Sequence, residues 1–374
     1  MNSANQQIKQ KEKFTVHNAV GAQIQRQGKG KSSYFKIDLG VEWQVSDDVA
    51  VSFVRQIESK FSVKAKLHNF FKDDFEGGSL EIADKLYSLK EDNGFSELAS
   101  HILNRLEDAA TEKASTSLSD AYVVIAYYTS NLSAKEYDSI LVVLLDSKSG
   151  FNFTDRYEPK NRVIINLDSL KQAAMINASI FESVYPSVRD DSYLYFIQGT
   201  QSSDFFKEAL DCGSSISNAE SVQQIFAAVE GFSAEHGLSP REMNKIHLKV
   251  ENKLSEYAGS GAKGKAVKLD YIQGWVDECL SDNHPGRGKF SEYVNVHDYQ
   301  VNEWTKPNEN SIKKASTFLI QDEKKSYSCV VNKSVIGAHS SNSRVKVDKD
   351  CRHIMIPLSD EDREEILSRI EKDE

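Results

Sequence analysis

The two most apolar stretches of the chain are AYVVIAYY at 121–128 and SILVVLLD at 139–146. Near-continuous hydrophobicity over the length of a strand is typical of strands covered on both faces, so both runs are predicted to lie at the centre of a sheet. RVIINL at 162–167 predicts a third strand, and Asp168 is predicted to begin a helix through Ile180. The N-terminal half should therefore be built on a central sheet.

Shorter patterns predict the elements that precede this sheet core. Residues 14–24 and 33–39 have strand patterns and are joined by QRQGKGKSS, whose glycines suit the turn of a hairpin. Ser46 or Asp47 can cap a helix that is predicted through about Ser62.

The middle of the chain, from 193 to 268, has mostly helical periodicity. A strand pattern, YLYFI, is followed by a helix, SDFFKEALDC, then by two longer helical patterns and a tail, GSGAKGKAVK. The second long helix has a clear start, because Ser239 can cap it and Pro240 fits its first position. Glu242 stands three residues after Ser239, which is the spacing of a reciprocal capping box.

The residue pattern after Ser239 predicts a helix with an apolar face and a basic face. At 100° per residue its apolar side chains fall on one face: Met243, Ile246, Val250, Leu254 and Tyr257. Its cations form a ladder on another face, and we call these four residues the basic ladder: Arg241, Lys245, Lys249 and Lys253. His247 falls between the two faces and is predicted to be a boundary residue.

Positive charge is concentrated in and just after this helix. Between 241 and 268 there are seven cations and three acids, whereas the whole chain has a formal net charge of −10. Beyond the ladder the cations are Lys263, Lys265 and Lys268. A basic stripe on an acidic protein is the pattern expected of a phosphate-backbone contact, although a solvated helix face would have the same appearance.

The predicted hairpin turn carries a second basic spot. Arg26, Lys29 and Lys31 lie there without an acid nearby, so they are candidate phosphate contacts. The alternative is a hairpin tip that is basic only for solubility.

The predicted elements indicate an α+β protein, and its length suits two or three domains. The predicted division is an N-terminal mixed α/β domain with a central sheet (1–190), a helical middle region with the basic ladder (191–285) and a small β-rich C-terminal module (286–374). No apolar run approaches the roughly 20 residues that span a bilayer, and no secretion signal is apparent, so a cytoplasmic location without a membrane partner is predicted. The four cysteines are widely spaced and suit reduced thiols.

Two motifs bear a weak resemblance to catalytic sites. Gly259, Gly264 and Lys265 match a phosphate-binding loop, but Ala266 replaces the Ser or Thr that would hold magnesium, and a helix is predicted to precede the motif. The run Asp146-Ser147-Lys148, with Asp138 or Asp120, resembles the acid-x-lysine arrangement of metal-dependent nucleases, but Asp and Lys are much more often simple turn residues at strand ends. We therefore predict no enzyme activity, no catalytic residue, no metal and no cofactor.

The order of segments resembles a known family. The runs DAYVVIAYYTS, SILVVLLDS, INLDSLKQAAMINASIF and YLYFIQGTQSSDFFKEALDC, followed by a long helix pair, are similar to the bacterial nucleoid-associated proteins that include NdpA (YejK). The resemblance implies a DNA-binding protein of the bacterial cytoplasm and nucleoid, with no established enzymatic activity. It assigns no DNA-contacting residue, so the basic residues named above rest on charge alone.

The predicted function is non-enzymatic binding of double-stranded DNA, mainly through its phosphates, by a protein that is expected to be a homodimer. Three alternatives stay open at this point. They are a metal-dependent nuclease, an effector of defence against foreign DNA such as phage, and an acidic adaptor that docks a DNA-processing enzyme.

Overall fold

A computed structural model describes most of the chain. The described residues are 14–28, 33–72, 81–113, 118–131, 136–146, 154–159, 170–185, 191–198, 204–258, 264–321, 327–350 and 352–370. Several predictions lie outside them, namely the strand at 162–167 and the side chains of Lys29, Lys31, Lys148 and Lys263.

The elements up to Ser215 build one large sheet and its helices. In chain order they are β1 (Phe14–Gln27), β2 (Tyr34–Glu42), α1 (Asp48–Val63), β3 (Leu67–Phe71), α2 (Glu81–Tyr87), α3 (Gly94–Lys113), β4 (Ala121–Ser130), β5 (Tyr137–Asp146), β6 (Leu170–Asn177), α4 (Ala178–Val184), β7 (Leu194–Gln198), α5 (Asp204–Ala209) and β8 (Cys212–Ser215). Within the described residues the eight strands pair antiparallel in the order β2-β1-β4-β5-β6-β7-β3-β8. The predicted hairpin of β1 and β2 is confirmed.

Strands β4 and β5 lie at the centre of this sheet, as predicted. Along β5 the side chains alternate between two apolar cores. Val142 and Leu144 pack with helices α2 to α5 on one face, and Leu141 and Val143 pack with α1 on the other. Because both faces are covered by helices, nearly every position of these strands must be apolar. Asp47 caps α1 by accepting a hydrogen bond from the Val49 amide at 2.8 Å.

The helix predicted from Asp168 through Ile180 is wrong. Leu170–Asn177 is strand β6, paired with β5 on one side and β7 on the other, and α4 begins only at Ala178. The segment LKQAAMIN is rich in good helix formers, which explains the prediction. The pairing of two neighbouring strands outweighs that local preference because it satisfies the backbone on both edges.

The elements after Ser215 form a helical unit and a C-terminal module. They are α6 (Asn218–Glu235), α7 (Pro240–Ala258), β9 (Val267–Lys268), α8 (Leu269–Asp277), α9 (Phe290–Val296), β10 (Trp304–Thr305), α10 (Glu309–Ser316), β11 (Thr317–Gln321), β12 (Ser328–Asn332), β13 (Ile336–Ala338), β14 (Val345–Val347), β15 (Ile354–Met355) and α11 (Asp360–Ile370). With a large antiparallel sheet, many helices and small C-terminal strands, the fold class is α+β as predicted.

The elements pack in groups that do not end at 190 and 285, the predicted domain boundaries. Whether the three predicted domains fold independently stays a prediction. Strands β7 and β8 complete the large sheet, although they follow residue 190. Helices α9 and α10 belong to the core of α6 to α8, to which they contribute Phe290, Val294 and Ile312. The β-rich part of the C-terminal module therefore starts at β11. Long-range packing of this kind leaves no local mark in the sequence.

Asn302 joins the sheet to the helical unit. Its side-chain oxygen accepts a hydrogen bond from the backbone amide of His68 in β3 at 3.0 Å, and its side-chain amide donates to the Ile216 carbonyl at 3.3 Å. The backbone amide of Asn302 donates to Ser221 Oγ in α6 at 3.1 Å. The Glu303 amide donates to the carbonyl of Lys66 at 2.9 Å. This buried strip of backbone therefore sets how the helical unit sits on the sheet.

Candidate nucleic-acid interface

Helix α7 starts where the capping pattern predicted. The Ser239 backbone amide donates to Glu242 Oε2 at 2.9 Å, and the Glu242 amide donates to Ser239 Oγ at 3.3 Å. The hydrogen bonds from Ser239 lower the pKa of Glu242, which is therefore held as a carboxylate at the start of the helix. The preceding turn uses Gly237 at a φ of +63°, a conformation that favours glycine.

One face of α7 is buried, which leaves the opposite face for the basic ladder. Ile246, Val250 and Leu254 are buried and pack with the other helices of the unit. His247 is also buried, with its ring centroid 4.7 Å from that of Phe226 in α6, so the predicted boundary position is wrong. Close packing of α6 on α7 widens the buried face beyond the apolar stripe that the sequence displays.

Two ladder cations are held by carboxylates. Lys249 Nζ lies 2.6 Å from Glu278 Oε2 just after α8, and Lys253 Nζ lies 2.7 Å from Glu256 Oε2 on the same helix. The hydrogen bond that Lys249 donates to Glu278 raises the pKa of Lys249. The net positive charge of this face is therefore smaller than the count of cations and acids between 241 and 268 suggests, because that count leaves out Glu278.

The other two ladder cations are more available. Arg241 and Lys245 are exposed and one helical turn apart. Lys245 Nζ donates to the carbonyl oxygen of Cys279 at 3.3 Å, and its charge contributes to the lowered pKa of Glu242 one helical turn earlier. The start of α7 is thus the part of the ladder best able to take a phosphate.

Beyond the end of α7, the short β9–β10 pair carries a second group of cations. Lys265 is exposed, whereas Lys268 Nζ lies 2.7 Å from Asp270 and 3.7 Å from Glu303. Trp304 is paired with Lys268 across the two strands and is 46% exposed. An exposed tryptophan beside lysines can stack on a base or a sugar, and the sequence analysis missed it although WTK was visible as a motif.

The hairpin spot lies apart from the ladder in the fold. Arg26 is near the end of β1 in the large sheet, where its backbone amide donates to Asp120 Oδ1 at 2.9 Å and its guanidinium donates to Ser33 Oγ at 3.1 Å. The ladder, in contrast, belongs to the helical unit. The two predicted basic regions are therefore carried by different parts of the molecule.

Two acids were predicted as partners of Asp146 in the nuclease motif. Asp120 directly precedes Ala121, which pairs with Asp146, and its Oδ1 accepts a hydrogen bond from the Arg26 amide, whereas Asp138 is separated from Asp146 by the length of a strand. Asp138 and Asp146 lie at opposite ends of β5, opposite Thr129 and Ala121 of β4. Eight residues of antiparallel strand span about 27 Å, which is too far for the two acids to share a metal ion. Asp138 is also engaged, since it accepts from Thr129 at 2.7 Å and lies 2.9 Å from Lys90 Nζ.

Only part of the loop motif is described. Gly264 and Lys265 precede β9, and α7 lies before them, so the described part lacks the strand-loop-helix order of a phosphate-binding loop. Across the described ranges, no three His, Cys, Asp or Glu side chains are grouped as ligands for a metal ion.

A cavity of about 80 Å³ lies where the sheet meets the helical unit. Lys66 in its lining is buried, and its Nζ donates to the carbonyls of Ser62 at 3.0 Å and Asn295 at 3.2 Å. Burial lowers the pKa of Lys66 to about 8, and it raises the pKa of Asp298 on the other side of the cavity. Lys66 and Asp298 lie at the junction of the sheet and the helical unit, so a role in holding the two units together explains their position.

Comparison with known proteins places the chain among the nucleoid-associated proteins. It belongs to the family described as nucleoid-associated protein YejK, whose model matches residues 30–356. The family resemblance seen in the sequence is thereby confirmed.

Individual relatives are distant. A nucleoid-associated protein of Azotobacter vinelandii is 23% identical over 233 residues, which are 62% of this chain and 63% of that protein. One from Shewanella frigidimarina is 25% identical over 67% of this chain and 70% of its own, and one from Pseudomonas aeruginosa is 21% identical over 82% and 84%. The match to the first of these thus spans less than two thirds of the relative's length. Among the described helices, none is long and apolar enough to cross a membrane.

Proposed function

We propose that this protein binds double-stranded DNA in the bacterial nucleoid, mainly through backbone phosphates, and that it does so without catalysing a reaction. The observation that carries the proposal is the row of cations along the solvent side of α7, with Arg241 and Lys245 exposed at its start. The names of the family and of its relatives support the same function.

The dimensions of the ladder suit a DNA strand. Arg241 and Lys253 are twelve residues apart, which is about 18 Å along a helix axis. One strand of duplex DNA presents a phosphate about every 3.4 Å along its axis, so the ladder spans about five phosphates. A helix face of this length can therefore make several phosphate contacts at once.

The ion pairs of Lys249 and Lys253 do not remove these residues from the proposed interface. Both pairs are solvent-accessible, and exposed pairs contribute at most about 1 kcal/mol. A DNA phosphate can take the place of Glu278 or Glu256 at little cost. Arg241, Lys245 and Lys265 would contact phosphates first. The ion-paired lysines would contact phosphates once their carboxylate partners are displaced. The remaining candidate contacts are Lys263, Lys268, Arg26, Lys29 and Lys31.

Reversal of charge at the start of α7 should weaken DNA binding. In the double variant R241E/K245E, two phosphate contacts become repulsive, and we expect affinity to fall at least tenfold. The slope of log K against log salt should flatten by about 1.8, or 0.9 for each phosphate contact. Fluorescence anisotropy with a duplex at several salt concentrations measures both quantities.

The matched control for this variant is R55E/K64E. Both residues are exposed in or just after α1, outside the proposed interface, and the change in net charge is the same. The control should keep the wild-type slope. Equal losses in the two variants would show only a general charge effect, and an unchanged affinity in R241E/K245E would remove α7 from the interface.

The variant Glu278→Gln should have the opposite effect. It keeps the shape of the side chain but removes the carboxylate 2.6 Å from Lys249 Nζ. The positive charge of Lys249 is then no longer offset by Glu278. Affinity for duplex DNA should therefore rise, and the slope of log K against log salt should steepen by up to about 0.9. A matched change at the exposed Glu361 of α11 should leave the slope unaltered. If Glu278→Gln binds DNA no better than wild type, the Lys249 end of the ladder does not contact phosphates.

A second candidate function is that of an acidic adaptor for a DNA-processing enzyme. It is favoured by the net charge of −10 and by the acidic first turn of α11, which contains Asp360, Glu361 and Asp362. An adaptor without DNA affinity of its own would bind duplex DNA equally weakly before and after the R241E/K245E change. The same titration thus separates the two functions.

A further inference from the structure

Trp304 is exposed to solvent, whereas the other two tryptophans of the chain are buried. Trp43 is 3% exposed in the core between the sheet and α1, and Trp275 is 8% exposed in the core of the helical unit. Trp304, in contrast, is 46% exposed. A large apolar ring in contact with water gains free energy when a ligand covers it, and tryptophan is prominent among the residues that anchor binding partners.

The pairing of β9 with β10 directs the Trp304 side chain outward. Trp304 pairs with Lys268 and Thr305 pairs with Val267 across the two strands. Val267 and Thr305 are buried, so the face that they share packs inward. Because side chains alternate between the two faces of a strand, Trp304 and Lys268 share the outer face.

The backbone on both sides of Trp304 is held in place. Before it, the Glu303 carbonyl oxygen accepts a hydrogen bond from the Leu269 amide at 3.0 Å. After it, the Lys306 amide donates to Asn218 Oδ1 at 2.7 Å. A ring on a fixed backbone loses little conformational freedom when it binds a ligand, which favours affinity.

Two lysines flank the Trp304 ring. Lys306 stands two positions after Trp304 and is exposed, and Lys268 lies opposite Trp304 across the strand pair. Lys268 Nζ is 2.7 Å from Asp270 and 3.7 Å from Glu303. A phosphate beside the ring would therefore meet Lys306 first, because Lys268 already lies close to two carboxylates.

This surface continues the line of the basic ladder beyond the end of α7. The Lys265 backbone amide donates to the Tyr257 carbonyl oxygen, in the last turn of α7, at 3.0 Å. Gly264 lies beside the same chain as the ring, since a Cβ at Gly264 would be 3.6 Å from Cε of Lys306. A DNA strand that follows the ladder along α7 would therefore arrive at Lys265, Lys306 and the ring of Trp304.

We propose that Trp304 stacks on an unpaired DNA base, so that the preferred ligand is duplex DNA with an adjoining single-stranded segment. Bases inside a duplex are covered by their neighbours, whereas an unpaired base can offer its face to an aromatic ring. The duplex contacts the ladder through its phosphates, and the single strand continues past Lys265 to Trp304. Because every base has a π-face, this contact favours no particular sequence. The inference rests on the proposed DNA-binding function and names the form of DNA that the same surface prefers.

The test compares a blunt duplex with the same duplex carrying a short single-stranded overhang of thymidines. Stacking of one base should make the overhang DNA bind wild type at least about fivefold more tightly, as measured by fluorescence anisotropy. The overhang should also quench tryptophan fluorescence, and the quenching reports on Trp304 because Trp43 and Trp275 are buried.

The variant Trp304→Leu keeps an apolar side chain but removes the aromatic face. Both DNAs should then bind with the affinity that wild type has for the blunt duplex. Trp304→Phe retains a smaller ring and should keep part of the preference for the overhang. The matched control is Tyr87→Leu, which removes an aromatic ring that is 51% exposed on α2, against the large sheet, and should leave the full preference.

Equal affinity of wild type for the two DNAs, or an overhang preference that persists in Trp304→Leu, overturns the inference and leaves duplex binding in place. Tryptophan fluorescence that no DNA changes also overturns it, and leaves the exposed ring to a protein partner. Failure to bind the blunt duplex refutes the proposed function instead. The stacking contact then stands if a thymidine single strand alone quenches Trp304, and falls if it does not.

Discussion

Lowering the pH from 7 to 3 should remove about 4 kcal/mol of folding free energy through one side chain, His68. This residue of β3 is 1% exposed, and its ring stands edge-on to Tyr195 at 5.2 Å. Nδ1 lies 3.2 Å from Ser192 Oγ, whereas Nε2 has no hydrogen-bond partner within the described structure. Burial, with a smaller contribution from the nearby cation of Lys66, lowers the pKa of His68 from 6.5 to about 3.

The pH window follows from these two pKa values. Below pH 6.5 the unfolded chain takes up a proton on His68, while the folded chain does not until about pH 3. The proton therefore favours the unfolded state, and stability falls as the pH drops through this range. About 2 to 3 kcal/mol should already be lost at pH 4.5.

Denaturation by urea at pH 7 and pH 4.5 measures this loss, and the variant His68→Asn isolates it. Asn can keep the hydrogen bond to Ser192 but cannot titrate. The variant should be less stable at pH 7, because the smaller side chain leaves a cavity. The free energy of unfolding that it loses between pH 7 and pH 4.5 should, however, be about 2 to 3 kcal/mol smaller than the loss in wild type. Replacement of His339, which is exposed, by Asn should keep the wild-type difference. If His68→Asn has the same acid sensitivity as wild type, His68 is not the residue responsible.

The variant Asn302→Ala should destabilise the protein by about 2 to 5 kcal/mol. Asn302 is 6% exposed, and its side chain satisfies the buried amide of His68 and the buried carbonyl of Ile216. Alanine leaves both backbone groups without their partner, and each buried group left unsatisfied costs about 1 to 3 kcal/mol. Because these two bonds join the sheet to the helical unit, we expect the units to unfold less cooperatively.

Chemical denaturation followed by tryptophan fluorescence and by far-ultraviolet circular dichroism tests this. In wild type the two transitions should coincide, whereas in Asn302→Ala they should move to lower denaturant and separate. The matched variant is Asn310→Ala on the exposed side of α10, where alanine is a better helix former and stability should be unchanged or slightly higher. A loss below 1 kcal/mol in Asn302→Ala would mean that the junction is held by other contacts.

The features that could be predicted from the sequence are those with a local physical signature. The apolar runs of β4 and β5, the Ser239 and Glu242 capping box of α7 and the pairing of β1 with β2 each depend on residues close in sequence. The position of the basic ladder on the solvent side of α7 followed from helical periodicity in the same way.

The errors occurred where distant residues decide the outcome. LKQAAMIN became β6 because β5 and β7 lie on either side of it. His247 is buried because α6 packs against it. Lys249 is ion-paired because α8 ends with Glu278 beside α7, 29 positions later in the chain. No window of the sequence contains both members of these contacts.

The sequence by itself determined the α+β class, the family resemblance, the buried central strands and the cations of α7, because composition, periodicity and capping act between near neighbours. Only the tertiary structure decided which of those cations form close ion pairs, how Asn302 joins the two units and which apolar side chains of the C-terminal module are exposed. These properties depend on through-space burial and Coulomb interaction, whose strength is set by distances between elements and not by separation along the chain.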